Sequence, residues 1–374
     1  MKTSLPSSRC VRIAAVTLIS TIGLLLGASG QNQAAPRTSQ QENTARVRTP
    51  VKAKAQPAEL EKVSGKLTLS KPAIHANLTV YLLEGGDRMD TTNVLTLDEA
   101  IGKPGVVDVK ETGSVNELVV QNGEKAKSVF IMAGDIVKGG RQDRTLGTDL
   151  TLAPKSGKVP IAAFCVEQGR WSRRGSEDAA AFSSSKNTIV GNEGKLAVRA
   201  AKAQGEVWDK VGVAQSKIGG SLSKSVAQAA SPSSLQLSLE DVDLKKTADS
   251  YARAMKPVID ENSRAIGYVA VINGAVYSAE IFAGHDLFRR LWPKLIETTA
   301  IEAISEKKGK AAAKPATAED VKEFLSAAEA MPATEEQIQG DFWSVSAIGK
   351  SAAVFQTVDK SSKGQWLRRS VLKK

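Results

Sequence analysis

The sequence predicts an α+β fold: a mostly antiparallel sheet with several packed helices, preceded by an export signal and a disordered tether. Strand-like patterns dominate before residue 172 and after residue 341, whereas helical spacing of apolar residues dominates in between. The segment 267–282, GYVAVINGAVYSAEIF, places Asn273-Gly274 between two apolar runs. This dipeptide is typical of a tight hairpin turn, because both turn positions need positive φ. A regular strand–helix alternation, which would favour a parallel sheet, is not seen.

The composition permits a packed core and makes the chain basic. The 374 residues are 41% hydrophobic and 24% charged, and the formal net charge is +11. Removing Lys2, Arg9 and Arg12 with the leader leaves +8. A basic surface favours anionic partners, although dispersed charge that serves only solubility would give the same total. The chain shows no aromatic-and-basic motif of a nucleic-acid-binding fold, so specific nucleic acid binding is not expected.

Cysteine and histidine are too few for a disulfide framework or a structural zinc site. Cys10 lies in the leader, which leaves Cys165 as the one thiol of the remaining chain, with His75 and His285. Disulfide frameworks need paired cysteines, and structural zinc needs four nitrogen or sulfur ligands. We therefore expect no metal and no cofactor.

The first thirty residues have the features of an export signal. Lys2, Arg9 and Arg12 precede an apolar run at 13–27, and small residues follow it. The run is shorter than the ~20 apolar residues of a spanning helix, so membrane contact is expected only through an uncleaved leader. We expect residues 1–30 to be a signal peptide and the protein to be exported, periplasmic or extracellular.

The rest of the chain predicts a tether and one domain. Residues 31–59 are rich in Gln, Ala, Pro and cations without an apolar period, which predicts a disordered linker. Residues 60–374 predict a single α+β domain. Its expected parts are a core at 60–304, a linker and helix at 305–340, and terminal strands at 341–374.

Local patterns predict individual elements. Thr96 with Glu99 and Thr317 with Asp320 have the spacing of capping boxes, and Ser238 is expected to cap the helix that follows it. Further predictions are a loop at 172–194, one helix at 195–217, and solvated charges or weak anionic-lipid contacts at Arg289, Arg290, Arg368, Arg369, Lys373 and Lys374.

The stretch from Gly134 to Trp171 holds the richest chemistry. It contains GDIVKGGRQDR and ends in CVEQGRW. We expect a hairpin-like unit that brings two polar clusters to one region of the surface. The first cluster is Lys138, Gly139, Gly140, Arg141, Asp143 and Arg144, and the second is Cys165, Glu167, Arg170 and Trp171.

These two motifs, together with GYVAVINGAVYSAEIF and the helix of Leu287, Phe288 and Trp292 that follows, resemble the ARG and Rhodanese-Phosphatase-superfamily-associated Protein domain. The resemblance spans roughly residues 60–304. That family has no established activity. Its name implies association with ADP-ribosylglycohydrolases and with rhodanese or phosphatase proteins, which points to ADP-ribose or phosphate metabolism by association alone.

The central stretch favours an anion-binding site. Gly139-Gly140 allows close backbone approach, and exposed amides in such turns bind anions. Arg141, Arg144 and Arg170 are suited to bidentate contacts with phosphate or carboxylate, and Glu167 and Trp171 complete the expected ligand-binding set. In the alternative, Arg141 and Arg144 pair with Asp143 and Glu167 and lock the unit, which makes a structural or interaction domain without a small-molecule site.

A catalytic role is a further alternative, so whether the protein is an enzyme stays open. Asp143 and Glu167 are candidates for an acid/base pair in a hydrolase of phosphorylated or ADP-ribosyl substrates. Cys165 superficially resembles the nucleophile of phosphatases and rhodaneses, but the four residues between it and Arg170 are one fewer than in those families. An apolar strand surrounds Cys165, which predicts a buried, inert thiol.

Overall fold

The computed structural model describes residues 55–170, 172, 174, 181–309 and 314–374. The expected signal peptide, most of the expected linker, and Trp171 lie outside these residues. The described residues belong to one compact unit. They form an α+β fold with mostly antiparallel sheets, which confirms the predicted fold class.

Nineteen strands are present in the described part of the chain. In chain order they are β1 (Gln56–Ala58), β2 (Thr68–Leu69), β3 (Ala73–His75), β4 (Leu78–Glu84), β5 (Val94–Thr96), β6 (Val107–Glu111), β7 (Glu117–Asn122), β8 (Ser128–Ile131), β9 (Asp135–Gly139), β10 (Arg144–Leu146), β11 (Leu150–Leu152), β12 (Gly157–Cys165), β13 (Phe182–Thr188), β14 (Ala265–Ile272), β15 (Ala275–Phe282), β16 (Ala333–Gln339), β17 (Phe342–Ile348), β18 (Ala352–Asp359) and β19 (Arg368–Lys373).

The helices of the same residues are α1 (Leu97–Ala100), α2 (Asn192–Leu196), α3 (Gln204–Leu222), α4 (Leu235–Leu239), α5 (Val242–Met255), α6 (His285–Ser305) and α7 (Ala318–Glu329). A π-helical turn, Ala197–Ala201, follows α2 directly. Short 3₁₀ helices lie at Ser64–Lys66, Lys256–Ile259 and Lys360–Ser362. Within the described ranges, no helix is long and apolar enough to cross a membrane.

The strands form three sheets. The ten-stranded sheet has the order β1-β16-β17-β18-β19-β15-β14-β4-β2, and β3 also pairs with β4. The middle of the chain forms a six-stranded sheet, β13-β9-β10-β12-β7-β6, and a three-stranded sheet, β11-β8-β5. Among the described strands, only β5 and β8 pair in parallel. The large sheet thus combines strands from before residue 85 with strands from after residue 264, and the strands between them form the two smaller sheets.

The predicted hairpin is the centre of the large sheet. Asn273 and Gly274 have φ of 51° and 82°, as the turn between β14 and β15 requires. Every residue of β14 is buried, because both faces of the sheet are covered. Tyr268 on one face packs with Phe288 and Trp292 of α6, whereas Val269 on the other joins the core that contains α7. Successive side chains of β14 point to opposite faces of the sheet and therefore pack into two separate hydrophobic cores.

Both predicted capping boxes are confirmed. Thr96 accepts a hydrogen bond from the amide of Glu99 at the start of α1, and the Glu99 carboxylate accepts from the amide of Thr96. Thr317 and Asp320 make the same reciprocal pair at the start of α7. In each case two amides that the helix cannot satisfy internally gain a side-chain acceptor.

The predicted cap at Ser238 is wrong. Ser238 lies inside α4, and its hydroxyl donates to the carbonyl of Ser234. Asp241 is the N-cap of α5 instead, and its carboxylate accepts from the amides of Asp243 and Leu244 at 3.0 and 3.1 Å. Serine and aspartate both favour caps, so spacing alone does not decide between them.

Several predicted boundaries also differ from the structure. The expected loop at 172–194 contains β13, a polar strand that pairs with β9. The expected helix at 195–217 is divided at Lys202, whose φ of 51° ends the π-helical turn before α3 begins. The expected segment 305–340 contains β16, and ordered structure begins before residue 60, with β1 on β16. β13 and β16 carry mostly polar residues, so they lack the apolar pattern that predicts a strand, and β1 is only three residues long.

Candidate functional site

The pairing of β9, β10 and β12 builds the central hairpin-like unit. Arg144 lies opposite Val137 on β9 and opposite Cys165 on β12. The turn before β10 therefore meets the segment after β12, as the sequence predicts. The meeting point is interior rather than on the surface, however: Asp143 and Glu167 are 0% exposed and Arg144 is 1% exposed.

Glu167 is the hub of this buried cluster. Its Oε1 accepts from the amide of Asp143 at 2.9 Å and from Arg170 Nε at 2.8 Å. Its Oε2 accepts from the Ser231 hydroxyl at 3.0 Å. The carbonyl of the same residue accepts from Trp208 Nε1 at 3.0 Å. Each of these contacts ties the end of β12 to another part of the fold.

Asp143 is the second carboxylate of the cluster. Its Oδ1 accepts from the amide of Gly139 at 3.0 Å, and its Oδ2 accepts from Arg174 Nη1 at 2.9 Å. Arg170 Nη2 lies 3.8 Å from Oδ1 of the same carboxylate. Burial first, and then the charge of Glu167, raise the pKa of Asp143 despite the opposing effect of Arg174. Two arginines thus bridge two enclosed carboxylates, which leaves neither carboxylate open to a substrate.

Arg144 and Cys165 lie on paired strands. Arg144 donates to Cys165 Sγ at 2.7 Å and to Glu111 Oε2 at 3.1 Å. The structural alternative expects Arg144 to pair with Asp143 or Glu167. In the structure, Arg144 instead forms its salt bridge with Glu111. Burial raises the pKa of the Cys165 thiol to about 11, and the nearby guanidinium only partly opposes this. The expected burial of the thiol is confirmed, whereas its lack of reactivity stays a prediction.

The Gly-Gly turn has the backbone that only glycine adopts readily. Gly139 and Gly140 have φ of 114° and 57°, and a Cβ on Gly140 would lie 2.4 Å from the Phe182 ring. The amides of this turn have acceptors within the protein. Asp143 and Glu111 accept from Gly139 and Arg141 respectively, and Gly140 donates to the carbonyl of Ala181. An anion at this turn would therefore be bound by side-chain donors and not by the backbone amides.

Such donors lie beside the turn in an open cleft of about 260 Å³. Arg141 is exposed, and its guanidinium makes no hydrogen bond or ion pair with any residue that the structure describes. Arg144 lines the same cleft from below, and the loop after β6 forms the opposite wall. The lining residues are Glu111, Thr112, Gly113, Ser114, Val115, Arg141 and Arg144.

A second group of charges was missed at the sequence level. Arg368 and Arg369 were expected to be solvated, but they are 4% and 0% exposed. They point to opposite faces of β19, and both faces of that sheet are covered. Arg368 donates to Glu280 Oε2 at 2.8 Å, whereas Arg369 donates to Glu329 Oε1 at 2.8 Å on the other face. The sequence shows two arginines at the start of an apolar strand. This pattern is compatible with a buried ion pair and equally with exposed charges at the surface.

Asp149 links Arg368 to the three-stranded sheet. Its Oδ1 accepts from Arg368 Nη1 at 3.0 Å and from the amide of Ala133 at 2.8 Å, and its Oδ2 accepts from Arg199 Nη2 at 2.8 Å. Burial alone would raise the pKa of Asp149, but Arg199 and Arg368 outweigh it and hold the pKa below its usual value. The sheets are therefore joined by matched buried charges.

A family model matches residues 66–372 of the chain, and its description is the ARG and Rhodanese-Phosphatase-superfamily-associated Protein domain. The match covers most of the sequence, so the chain belongs to this family. It confirms the resemblance seen in the motifs and extends it through the terminal strands. Comparisons with curated proteins and with solved structures find no match.

We predict that Cys165 does not react with thiol reagents in the folded protein. With a pKa of about 11, roughly one thiol in a thousand is ionised at pH 8, and the thiolate is the reactive form. In a chain carrying Cys10→Ser, Ellman's reagent should label Cys165 only after denaturation in guanidinium chloride. Rapid stoichiometric labelling of the native protein would contradict this and would restore Cys165 as a candidate nucleophile.

We predict that Arg368→Met lowers the free energy of unfolding by roughly 3–5 kcal/mol, because it leaves Glu280 buried without the cation it pairs with and leaves Asp149 with Arg199 alone. Urea denaturation measures the loss. Arg289→Met, on the exposed face of α6, is the matched control and should change stability by less than about 0.5 kcal/mol. Equal stability of the two variants would show that the buried pairing contributes nothing net.

The same network has a pH dependence. Because the folded protein holds the pKa of Asp149 below its usual value, the stabilisation is present at neutral pH and is lost as pH falls through the folded pKa. Asp149→Asn should therefore be less stable than the unmodified protein at pH 7, and the difference should shrink in acid. A difference that stays constant with pH would contradict the assignment.

Proposed function

We propose that the domain binds a small anion, of the phosphate or ADP-ribose class, in the cleft beside the Gly-Gly-Arg turn. The observation that carries this proposal is the exposed guanidinium of Arg141, which has no partner in the described chain although other charged groups around it are paired. A guanidinium presents a fork of donors that matches the oxygens of phosphate or carboxylate.

The charges and hydroxyls of the cleft support an anionic ligand. Arg141 and Arg144 supply two cations, whereas Glu111 is the one carboxylate among the lining residues. Both oxygens of Glu111 already accept hydrogen bonds, from the Arg141 amide and from Arg144. Ser114 adds a hydroxyl group on the facing loop, whereas the Thr112 hydroxyl donates to the carbonyl of Glu117. The lining side chains therefore carry a net positive charge, and the Arg141 guanidinium is the exposed donor that has no partner among the described residues.

The two halves of the central motif then have different roles. Arg141 contacts the ligand and Arg144 holds the floor of the cleft, whereas Gly139 and Gly140 give the turn its shape. Glu167 and Arg170, which the sequence places in the ligand-binding set, act as positioning residues, since their hydrogen bonds fix the turn from inside. The hydrolase alternative has less support, because its two carboxylates are fully enclosed.

Thermal shift measurements with orthophosphate, pyrophosphate and ADP-ribose test the proposal. At a concentration a hundredfold above the dissociation constant, a ligand should stabilise the protein by about 2.7 kcal/mol. Arg141→Ala should abolish the shift, and Arg141→Lys should keep only part of it, because lysine keeps the charge but not the fork. Arg253→Ala, at an exposed position of α5, is the control and should leave the shift unchanged.

Two outcomes would overturn the binding proposal: no stabilisation by any of the three compounds, or an equal shift in Arg141→Ala. Either would favour a structural or interaction domain. Product release from ADP-ribose that Glu167→Gln abolishes, in a variant that stays folded, would instead favour the hydrolase alternative.

We further propose that the protein is exported, on the basis of the charged and apolar segments within residues 1–30. Expression of the full chain in a bacterial host, followed by fractionation and mass measurement, tests this. The expected product lies outside the cytoplasm and lacks the leader. A cytoplasmic product of full-length mass would contradict export.

A further inference from the structure

A second cleft, of about 410 Å³, lies apart from the Arg141 cleft and shares no lining residue with it. Its walls come from the start of α2, one face of α3, the β14–β15 turn, the end of α6, and the end of β19. Its lining combines an apolar floor with a rim of lysine and glutamate side chains.

The floor of this second cleft is apolar. Val190, Ala214 and Ile272 line it and are 2%, 7% and 4% exposed. They belong to the same hydrophobic core as α5 and α6, so the floor is the outer surface of a packed interior. Tyr277, which is partly buried, packs against the same core from β15. A ligand with an apolar body would remove further apolar surface from water here.

The rim is cationic. Five lysines and two glutamates line the second cleft. The glutamates are matched within the rim: Lys210 lies 3.7 Å from Glu193, and Lys217 lies 2.7 Å from Glu306. Of the remaining lysines, Lys308 and Lys373 make no side-chain ion pair with any residue in the described ranges. The rim therefore has an excess of positive charge that its own carboxylates do not neutralise.

A directed donor lies between floor and rim. The Tyr277 hydroxyl accepts from the amide of Asn192 at 3.1 Å, and its own proton has no acceptor among the residues that the structure covers. Burial and the charge of Glu302 raise the pKa of Tyr277, so this hydroxyl stays protonated. Asn192 Nδ2 also donates to the carbonyls of Tyr277 and Lys373, at 2.9 Å each. The walls are thus fixed to one another, and the donor is fixed between them.

We propose that this second cleft binds a small amphipathic anion, with its apolar body against the Val190–Ile272 floor and its acidic head between Lys308, Lys373 and Tyr277. An apolar surface beside unmatched cations and one free hydroxyl donor suits this class, whereas a purely ionic ligand would leave the floor uncovered. The inference goes beyond the Arg141 cleft and does not depend on it.

The test uses two fluorescent probes of similar shape: the anion 1-anilinonaphthalene-8-sulfonate and the uncharged N-phenyl-1-naphthylamine. The folded protein should bind the anion saturably, at one site, and more tightly than the neutral probe. A Lys308→Ala, Lys373→Ala double variant should lose at least tenfold in affinity for the anion and little for the neutral probe. The matched control is the Lys245→Ala, Lys246→Ala double variant, at exposed positions of α5, which should bind as the unmodified protein does.

A further variant tests whether the charge within the cleft, and not the net charge of the protein, controls binding of the anion. Ala275→Asp places a carboxylate on the wall of the cleft at an exposed position, so it should weaken binding of the anion in a protein that melts at the same temperature. Arg141→Ala should leave probe binding unchanged, which separates this proposal from the one above. Unsaturable binding, or equal losses in the rim and control variants, would overturn it.

Discussion

The buried guanidinium of Arg368 links the ten-stranded sheet to the three-stranded sheet. Arg368 and Glu280 come from neighbouring strands of the ten-stranded sheet, whereas Asp149 precedes a strand of the three-stranded sheet. Charges removed from water are tolerated only when each has a partner in good geometry. A placement of the small sheet that separated these partners would leave charges buried without a counter-ion, which is strongly destabilising.

The two halves of the central motif, 134–144 and 165–171, have different structural roles. Its second half is closed, with Glu167 and Asp143 held by arginines and by backbone amides. Its first half is open, because Arg141 projects from a turn whose amides are already satisfied. Hydrogen bonds from the Gly139 amide to Asp143 and from the Asp143 amide to Glu167 tie the open half to the closed half. A turn that is held before a ligand arrives lowers the entropy cost of binding, which would be the advantage of this arrangement at the proposed site.

Local features of the fold could be predicted, whereas long-range pairings of charge could not. The Asn273-Gly274 turn and the Thr96 capping box depend on residues a few positions apart, and the sequence displays them directly. The meeting of the two motif clusters also followed from strand patterns. The partner of Arg144 did not, since Glu111 is 33 residues away and nothing in the sequence marks it. The prediction that Arg368 is solvated is wrong for the same reason, because the sequence shows the charge of a residue but not whether that residue is buried.

The position of β19 affects how the chain can acquire its structure. This strand lies between β18 and β15 in the interior of the ten-stranded sheet, yet it follows every other strand in sequence. Until residues 368–373 are available, two strands have open edges, and Glu280 and Glu329 lack their cations. The sheet therefore cannot close during synthesis of the preceding segments. The ten-stranded sheet is therefore completed last at its interior, where residues 368–373 join β18 to β15.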